Sequence, residues 1–313
     1  ACGTRAGLGA ILGHFANAYQ NSLLLGSLFE FIDFDPSTMA GALATPRQGE
    51  EGQPVPAPLK HGFELRAVSF GYPLADGLAL RGLDLTIDAG RITAIVGLNG
   101  AGKTTLVKLL LRLYDPTEGA VLLDGVDLRD YSRQSLRGRC TAVFQDYLAY
   151  HLTVRENVGF GDIAHADDAE RLRSAAARAG ALGVIEGLPA GWETPLGKEF
   201  KDASDLSVGE WQRIALARAL MRNAQVCIHD EPSLFLDAVA EREFYNTFAA
   251  VASGMTTVIV SHRFSTVRMA DHIVVLEHGE VAEQGSHDEL MAAGGQYAGM
   301  FRAQAGMYEG TAK

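Results

Sequence analysis

Gly97-Leu98-Asn99-Gly100-Ala101-Gly102-Lys103-Thr104 fits the pattern G-x-x-x-x-G-K-[ST]. The spacing has a physical reason. Glycines let the backbone curl until successive N–H groups point inward at phosphate oxygens. A helix starting where the loop ends adds its own affinity for anions. Lys103 can reach β- and γ-phosphates, and the Thr104 hydroxyl can bind Mg²⁺. The flanks suit this role: an apolar strand-like run, Ile92–Val96, precedes the loop, and a helical pattern, Leu106–Leu113, follows it. Thr105 stands where a G-x-G-x-x-G fingerprint starting at Gly100 needs its third glycine, so the dinucleotide pattern fails.

Outward from the loop, the chain alternates between two textures. Phe63–Phe70, Leu83–Ile87, Val121–Leu123 and Thr141–Phe144 are short strand-like runs. A helix is expected from near Gly102 to Tyr114, and the Ala-, Leu- and Arg-rich stretches 166–187 and 208–222 read as helices. Val226–His229, Thr257–Val260 and Ile273–Leu276 are apolar and β-branched, as buried strands should be. Strands alternating with helices predict an α/β fold with a largely parallel sheet covered on both faces.

Val226-Cys227-Ile228-His229-Asp230-Glu231 is an apolar run ending in two carboxylates. Beside the phosphate loop, such a strand can bring Asp230 near the magnesium, commonly through water. Glu231 then points to where a water attacks the γ-phosphate. Phosphoryl transfer needs positioning and charge neutralisation more than covalent help. Glu231 is therefore a candidate general base or water-orienting group.

Composition bounds the rest. The chain has 313 residues, 27 Lys plus Arg against 38 Asp plus Glu, and a formal charge of −11. With 47% hydrophobic and 21% charged residues it is neither disordered nor fibrous. The acidic balance argues against broad electrostatic binding to nucleic acid, while leaving room for a local basic groove. Cys2, Cys140 and Cys227 form no CxxC, which excludes a disulfide scaffold and a cysteine-rich zinc site and fits a reducing compartment.

Ala6–Phe29 lacks Asp, Glu, Lys and Arg and is long enough for a membrane span, yet His14, Asn17, Gln20 and Asn21 interrupt it. A secretory signal fits less well, because the apolar stretch is too long and too polar in its middle. The preferred reading is an amphipathic helix packed on partner helices, partly inside a membrane; a helix on the chain's own core is the alternative. Residues 35–60 hold five prolines, Pro36, Pro46, Pro54, Pro56 and Pro58, and read as a linker.

With the two phosphate-site elements placed, the chain resembles the ABC family of ATPases over about residues 61–300. Leu206-Ser207-Val208-Gly209-Glu210-Trp211-Gln212-Arg213 resembles the ABC signature, LSGGQ followed by QR. Gln145 is similar to the Q-loop glutamine, His262 to the switch histidine, and Leu236-Asp237 to the end of the D-loop, where Asp237 can also cap the following helix. Tyr72 resembles the aromatic that stacks on adenine, with Phe70 as the alternative stacker. Four departures stand out. Val208 replaces a signature glycine, Glu210 replaces Gln, and His229 sits where the family has an apolar residue; it is expected to pack quietly there, the alternative being a titratable neighbour that perturbs Asp230. Pro232-Ser233-Leu234-Phe235 also departs from the usual small-residue run before the D-loop.

The resemblance implies a P-loop NTPase fold of the ABC type: a mostly parallel sheet core, an antiparallel β subdomain and a helical subdomain at about 146–222. It divides the chain into an exporter-like helix end (1–34), a Pro-rich linker (35–60), an ABC ATPase domain (61–303) and a tail (304–313). It implies ATP and Mg²⁺ as cofactors, with Glu231, His262, Lys103 and Gln145 catalytic. Tyr72, the loop Gly97, Leu98, Asn99, Gly100, Ala101, Gly102, Lys103, Thr104 and Thr105, Gln145, Ser207, Gly209, Glu210 and Asp237 would contact nucleotide. Thr104, Gln145 and Asp230 would hold Mg²⁺.

In this family two ATPase domains meet head to tail, so the expected partners are a second such subunit and a membrane-spanning exporter domain, with no nucleic acid. The place is the cytoplasmic face of the cell membrane. Pro195-Leu196-Gly197-Lys198-Glu199-Phe200 resembles the exporter segment that touches the membrane domain, and Gly285-Ser286-His287-Asp288-Glu289-Leu290 with Gly295-Gln296-Tyr297 is also exporter-like. The chain is expected to be the C-terminal portion of an exporter or a truncated copy. The alternative is a soluble ABC ATPase acting on DNA or ribosomes.

Overall fold

A computed structural model describes residues 52–310 apart from 74, 145–147, 198–202, 231–253 and 262, together with parts of a helix between 14 and 33. Two sheets organise the described residues from 52 onward. The first is antiparallel, in the order β2-β1-β4-β5, from β1 (Gly62–Phe70), β2 (Leu80–Asp88), β4 (Glu118–Leu123) and β5 (Val126–Asp127). In β2 buried and exposed residues largely alternate, as in a sheet with one dry face and one wet one.

The second sheet has the order β10-β9-β3-β8-β7-β6. Its members are β3 (Ile92–Val96), β6 (Cys140–Val143), β7 (Val226–Asp230), β8 (Thr256–Val260), β9 (His272–Glu277) and β10 (Glu280–Gly285). Five strands run parallel and β10 closes the edge antiparallel to β9. Every residue of β7 and β8 is buried, which is why both read as continuous apolar runs rather than alternating ones. This is the expected ABC-type architecture: a mostly parallel core, an antiparallel β subdomain, and helices in the 146–222 region.

Several boundaries differ from the sequence expectation. The helix after the loop is Lys103–Leu110, not a helix to Tyr114. Arg112 turns into the left-handed region at φ 49, and its guanidinium donates to buried Asp115 at 3.1 Å. The stretch 166–187 is two helices, Ala169–Arg178 and Leu182–Glu186, broken at Gly180 with φ 65. Asp168 caps the first, accepting from the backbone N–H groups of Glu170 and Arg171.

Eight residues are too few for a helix to hold itself in water, so the Lys103–Leu110 helix stands on packing. Leu106, Val107, Leu109 and Leu110 are buried in a core shared with the antiparallel sheet, worth about 1.5–3 kcal/mol per side chain. A second core holds the helices Val154–Gly159, Ala169–Arg178 and Val208–Leu220. On the N-terminal helix the described Tyr19, Leu25, Leu28, Phe29 and Ile32 are all exposed, so they do not pack on this chain's own core. Among the described residues no helix is long and apolar enough to cross a membrane.

Candidate functional site

The phosphate loop leaves the carboxyl end of β3 and enters the Lys103–Leu110 helix. Gly102 is the helix N-cap at φ 103, a conformation that disfavours side chains. A Cβ there would lie 2.9 Å from the Ala79 carbonyl oxygen, and one on Gly97 only 2.3 Å from that of Leu276. Both positions are thus closed to other residues by neighbouring backbone. Leu98, Asn99 and Gly100 are exposed at the lip, Ala101 is buried beneath it, and Thr104 is exposed. Lys103 is buried and folded over the loop. Its Nζ donates to the carbonyls of Gly97 at 2.9 Å and Leu98 at 3.1 Å.

Sheet order brings the second element to the loop. β3, β8 and β7 are neighbours, and the register puts Ile95, Val260 and Asp230 level. Two strand spacings separate Asp230 from the loop's own strand, about 10 Å. The Lys103–Leu110 helix also packs against β7. The carboxyl ends of adjacent parallel strands are where α/β sheets place ligands. Asp230 is buried at the end of β7. The exposed Thr104 hydroxyl and the Asp230 carboxylate are hard oxygen donors suited to Mg²⁺, and the glycine-lined loop suits a polyphosphate.

His229, the departure in β7, is fully buried. Burial alone pushes its pKa down to about 3, so it stays neutral at physiological pH and adds no charge beside Asp230. Tyr72 is half-buried at the end of the first sheet. Its hydroxyl is 3.1 Å from Thr105 Oγ1, its ring meets Phe70 and Tyr114 edge-on at 5.0 and 5.5 Å, and Lys108 Nζ lies 5.1 Å from its centroid. Phe70 is fully buried, so of the two aromatics only Tyr72 is open to a ligand. The Tyr114 and Lys108 contacts were not foreseen. Lys108 lies one turn beyond Thr105, the i,i+3 spacing that puts both on the helix face toward Tyr72.

The signature forms the start of the Val208–Leu220 helix. Ser207 is its N-cap in a reciprocal box with Glu210. Ser207 N and Oγ both donate to Glu210 Oε2 at 2.8 Å, and Glu210 N donates back to Ser207 Oγ at 3.4 Å. The Gln-to-Glu departure is therefore a capping carboxylate. Val208 is 43% exposed and does not enter a core. The loop helix and the signature helix belong to different core clusters, so one chain does not bring these two ligand-facing elements into one shared core. Gln145, Glu231, Asp237 and His262 lie outside the described residues, as do Lys198, Glu199 and Phe200. Leu196, just before that last segment, is fully buried and paired by a bridge to Ser204.

An open cleft of about 580 Å³ is lined by residues from 111–144, by Leu148, Tyr150 and Phe160, and by Ala215, Arg218 and Arg222. Leu148 and Phe160 expose apolar surface in it, and Arg218 stiffens its wall. The Arg218 guanidinium donates to Asn157 O at 2.9 Å and Leu148 O at 3.0 Å, and stacks 4.5 Å from the Tyr150 centroid.

Known proteins resemble this chain. A family model described as ABC transporter matches residues 80–234. The ATP-dependent lipid A-core flippase of Bordetella avium is 40% identical over 256 residues, 82% of this chain and 43% of that protein. The heterocyst differentiation ATP-binding protein HepA of a Nostoc species is 42% identical over 238 residues, 76% of this chain and 38% of that protein. The structure of a bacterial Atm1-family ABC exporter with ATP bound superposes with a TM-score of 0.79 at 34% identity, over 92% of this chain and 48% of that one. The chain spans less than half the length of the curated relatives it matches. It belongs to the ABC transporter family and carries that family's nucleotide-binding domain.

Proposed function

We propose that this chain binds ATP with Mg²⁺ and hydrolyses it as the motor of an exporter, paired head to tail with a second copy or a homologue. The observation that carries the proposal is the split site: a complete phosphate loop and a signature that keeps Ser207 and Gly209 occur once each, in separate cores. Two complete sites then require two chains, the loop of one facing the signature of the other.

Each residue has a role. The backbone N–H groups of 97–105 and the Lys103 ammonium hold the triphosphate, with Lys103 exchanging its two loop carbonyls for phosphate oxygens. Tyr72 supports the adenine. Ser207 and the N-terminus of its helix contact the γ-phosphate from the opposite chain. Thr104, Gln145 and Asp230 would hold Mg²⁺, which when bound would neutralise charge on the phosphate oxygens. Glu231, next after Asp230, accepts a proton from water as its oxygen bonds to the γ-phosphorus and the bond to the β–γ bridging oxygen breaks. ADP leaves with the electron pair of that bond. His262 steadies the γ-phosphate, and Asp237 lines the seam between the chains.

ATP stabilises the closed pair because it makes contacts to both chains only there, and hydrolysis removes them. The membrane-spanning domain would receive this motion at the cytoplasmic face of the membrane, through the cleft of Leu148, Phe160 and Arg218. Exposure of Leu25, Phe29 and Ile32 supports an apolar partner for the N-terminal helix. The test is ATP turnover per chain against chain concentration. The proposal expects a rise steeper than linear that vanishes when Mg²⁺ is chelated; constant turnover per chain at all dilutions would contradict the paired site.

A further inference from the structure

A second concave surface, about 660 Å³ in volume, shares Arg137 and Arg222 with the cleft of Leu148 and Phe160 and lies apart from every residue assigned to the nucleotide. Five arginines line it: Arg133, Arg137 and Arg139 from the helix Arg133–Arg139, Arg171 from the helix Ala169–Arg178, and Arg222 just past the helix Val208–Leu220. The whole chain has 27 Lys plus Arg and a net charge of −11, so five cations converging from three elements run against its overall charge.

The lining carries more positive than negative charge. Its one carboxylate is Asp162. Arg171 is the arginine it pairs with: its guanidinium donates to Asp162 Oδ2 at 3.2 Å and lies 3.8 Å from Asp168 Oδ2, and His165 Nδ1 lies 2.8 Å from the same Asp162 oxygen, which leaves Arg137, Arg139 and Arg222 without a carboxylate partner among the described residues. Arg222 is fixed by donating to Arg137 O at 2.6 Å and Gly161 O at 3.2 Å, which uses backbone acceptors and leaves its charge uncompensated. The guanidinium groups of Arg137 and Arg139 have no ion pair or hydrogen bond among the described residues. Arg133 and Arg137 are one turn apart, where like charges repel. Arginine forks match phosphate oxygens two at a time, and a cluster of them is the usual reader of phosphate groups.

We propose that this groove binds a compact ligand carrying two or more clustered phosphates, either a soluble polyphosphate or a phosphorylated lipid headgroup. The site stands independently of the nucleotide site.

The test uses inositol hexakisphosphate as the soluble probe and phosphatidylcholine vesicles with or without phosphatidic acid as the lipid probe. The proteins are the full chain, the double variant Arg137→Gln/Arg139→Gln, Arg171→Gln from a separate element, and Lys103→Ala. The expected result is binding that weakens as salt rises, persists in Lys103→Ala, and falls about tenfold in the double variant with a smaller loss in Arg171→Gln, a difference of about 1.4 kcal/mol for tenfold. Binding of the soluble probe alone names a free polyphosphate as the source; binding of phosphatidic acid vesicles but not plain ones names a headgroup. The proposal is overturned if neither probe binds, if both groove variants bind like the full chain, if Lys103→Ala abolishes binding, or if only an oligonucleotide such as oligo-dT binds.

Discussion

The Lys103 ammonium lies 2.9 Å from the carbonyl oxygen of Gly97, so the cation at the end of the phosphate loop is bonded to the residue that begins it. A buried charge must have such partners or it would not stay charged. The loop's shape and the triphosphate binding proposed for it thus share one side chain.

Lys103→Met tests that sharing. The apolar stem is preserved, so the fold should persist. ATP affinity should fall at least tenfold, about 1.4 kcal/mol, in a direct titration with a fluorescent nucleotide. Unchanged affinity would remove Lys103 from the binding site.

Tyr72 separates ring from hydroxyl. Tyr72→Phe loses the contact to Thr105 Oγ1 and should cost about 1 kcal/mol of stability, with little change in ATP affinity. Tyr72→Ala also loses the ring and should weaken ATP binding by about 1–3 kcal/mol. The two variants measured side by side by calorimetry should differ; equal affinities would count against stacking on adenine.

Ser207 and Glu210 form one cap with two members. Ser207→Ala should cost about 1 kcal/mol in urea denaturation and also lower turnover. Glu210→Gln retains an N3 side chain that can reach back to the cap, so stability should hold within about 0.5 kcal/mol. A large loss of stability in Glu210→Gln would mean the carboxylate does more than cap.

Asp124 binds the domain entry to the turn after β4. Its carboxylate accepts from the backbone N–H groups of His61 and Gly62 through Oδ1 and of Lys60 through Oδ2, at 2.8–2.9 Å. Burial pushes its carboxyl up, but those three donors outweigh it and the net shift is downward. Stability from this group is therefore present above the ordinary aspartate range near pH 4 and is lost as pH falls through the lower folded value. Asp124→Asn should be less stable than the parent at neutral pH by about 1 kcal/mol, solvent screening included. The gap should close in acid. A gap that widens in acid would reverse the assignment.

The phosphate loop and its flanking strands were legible because their constraints are local. Glycine at 97 and 102, an apolar run before them and a helical pattern after them lie within a few turns of chain. The early end of the loop helix was not legible. It depends on Arg112 and Asp115 being buried together, and nothing in the local pattern says that they are. The split of 166–187 hinged on Gly180, a helix breaker whose left-handed conformation is visible only in place. Strand order was also beyond local reading, since Asp230 stands level with Ile95 only through β8, whose pairing spans long stretches of sequence. The arginine groove is dispersed over 90 residues, from Arg133 to Arg222, and no short motif marks it.

The central claim is tested most directly by Glu231→Gln in the full chain with Mg²⁺ and ATP, followed by sedimentation velocity alongside phosphate release. The account predicts a stable ATP-dependent pair that dissociates when ATP is withdrawn, with turnover reduced about 100-fold or more, about 2.7 kcal/mol in activation free energy. A variant that stays single with ATP bound, or that releases phosphate at the parent rate, would contradict it.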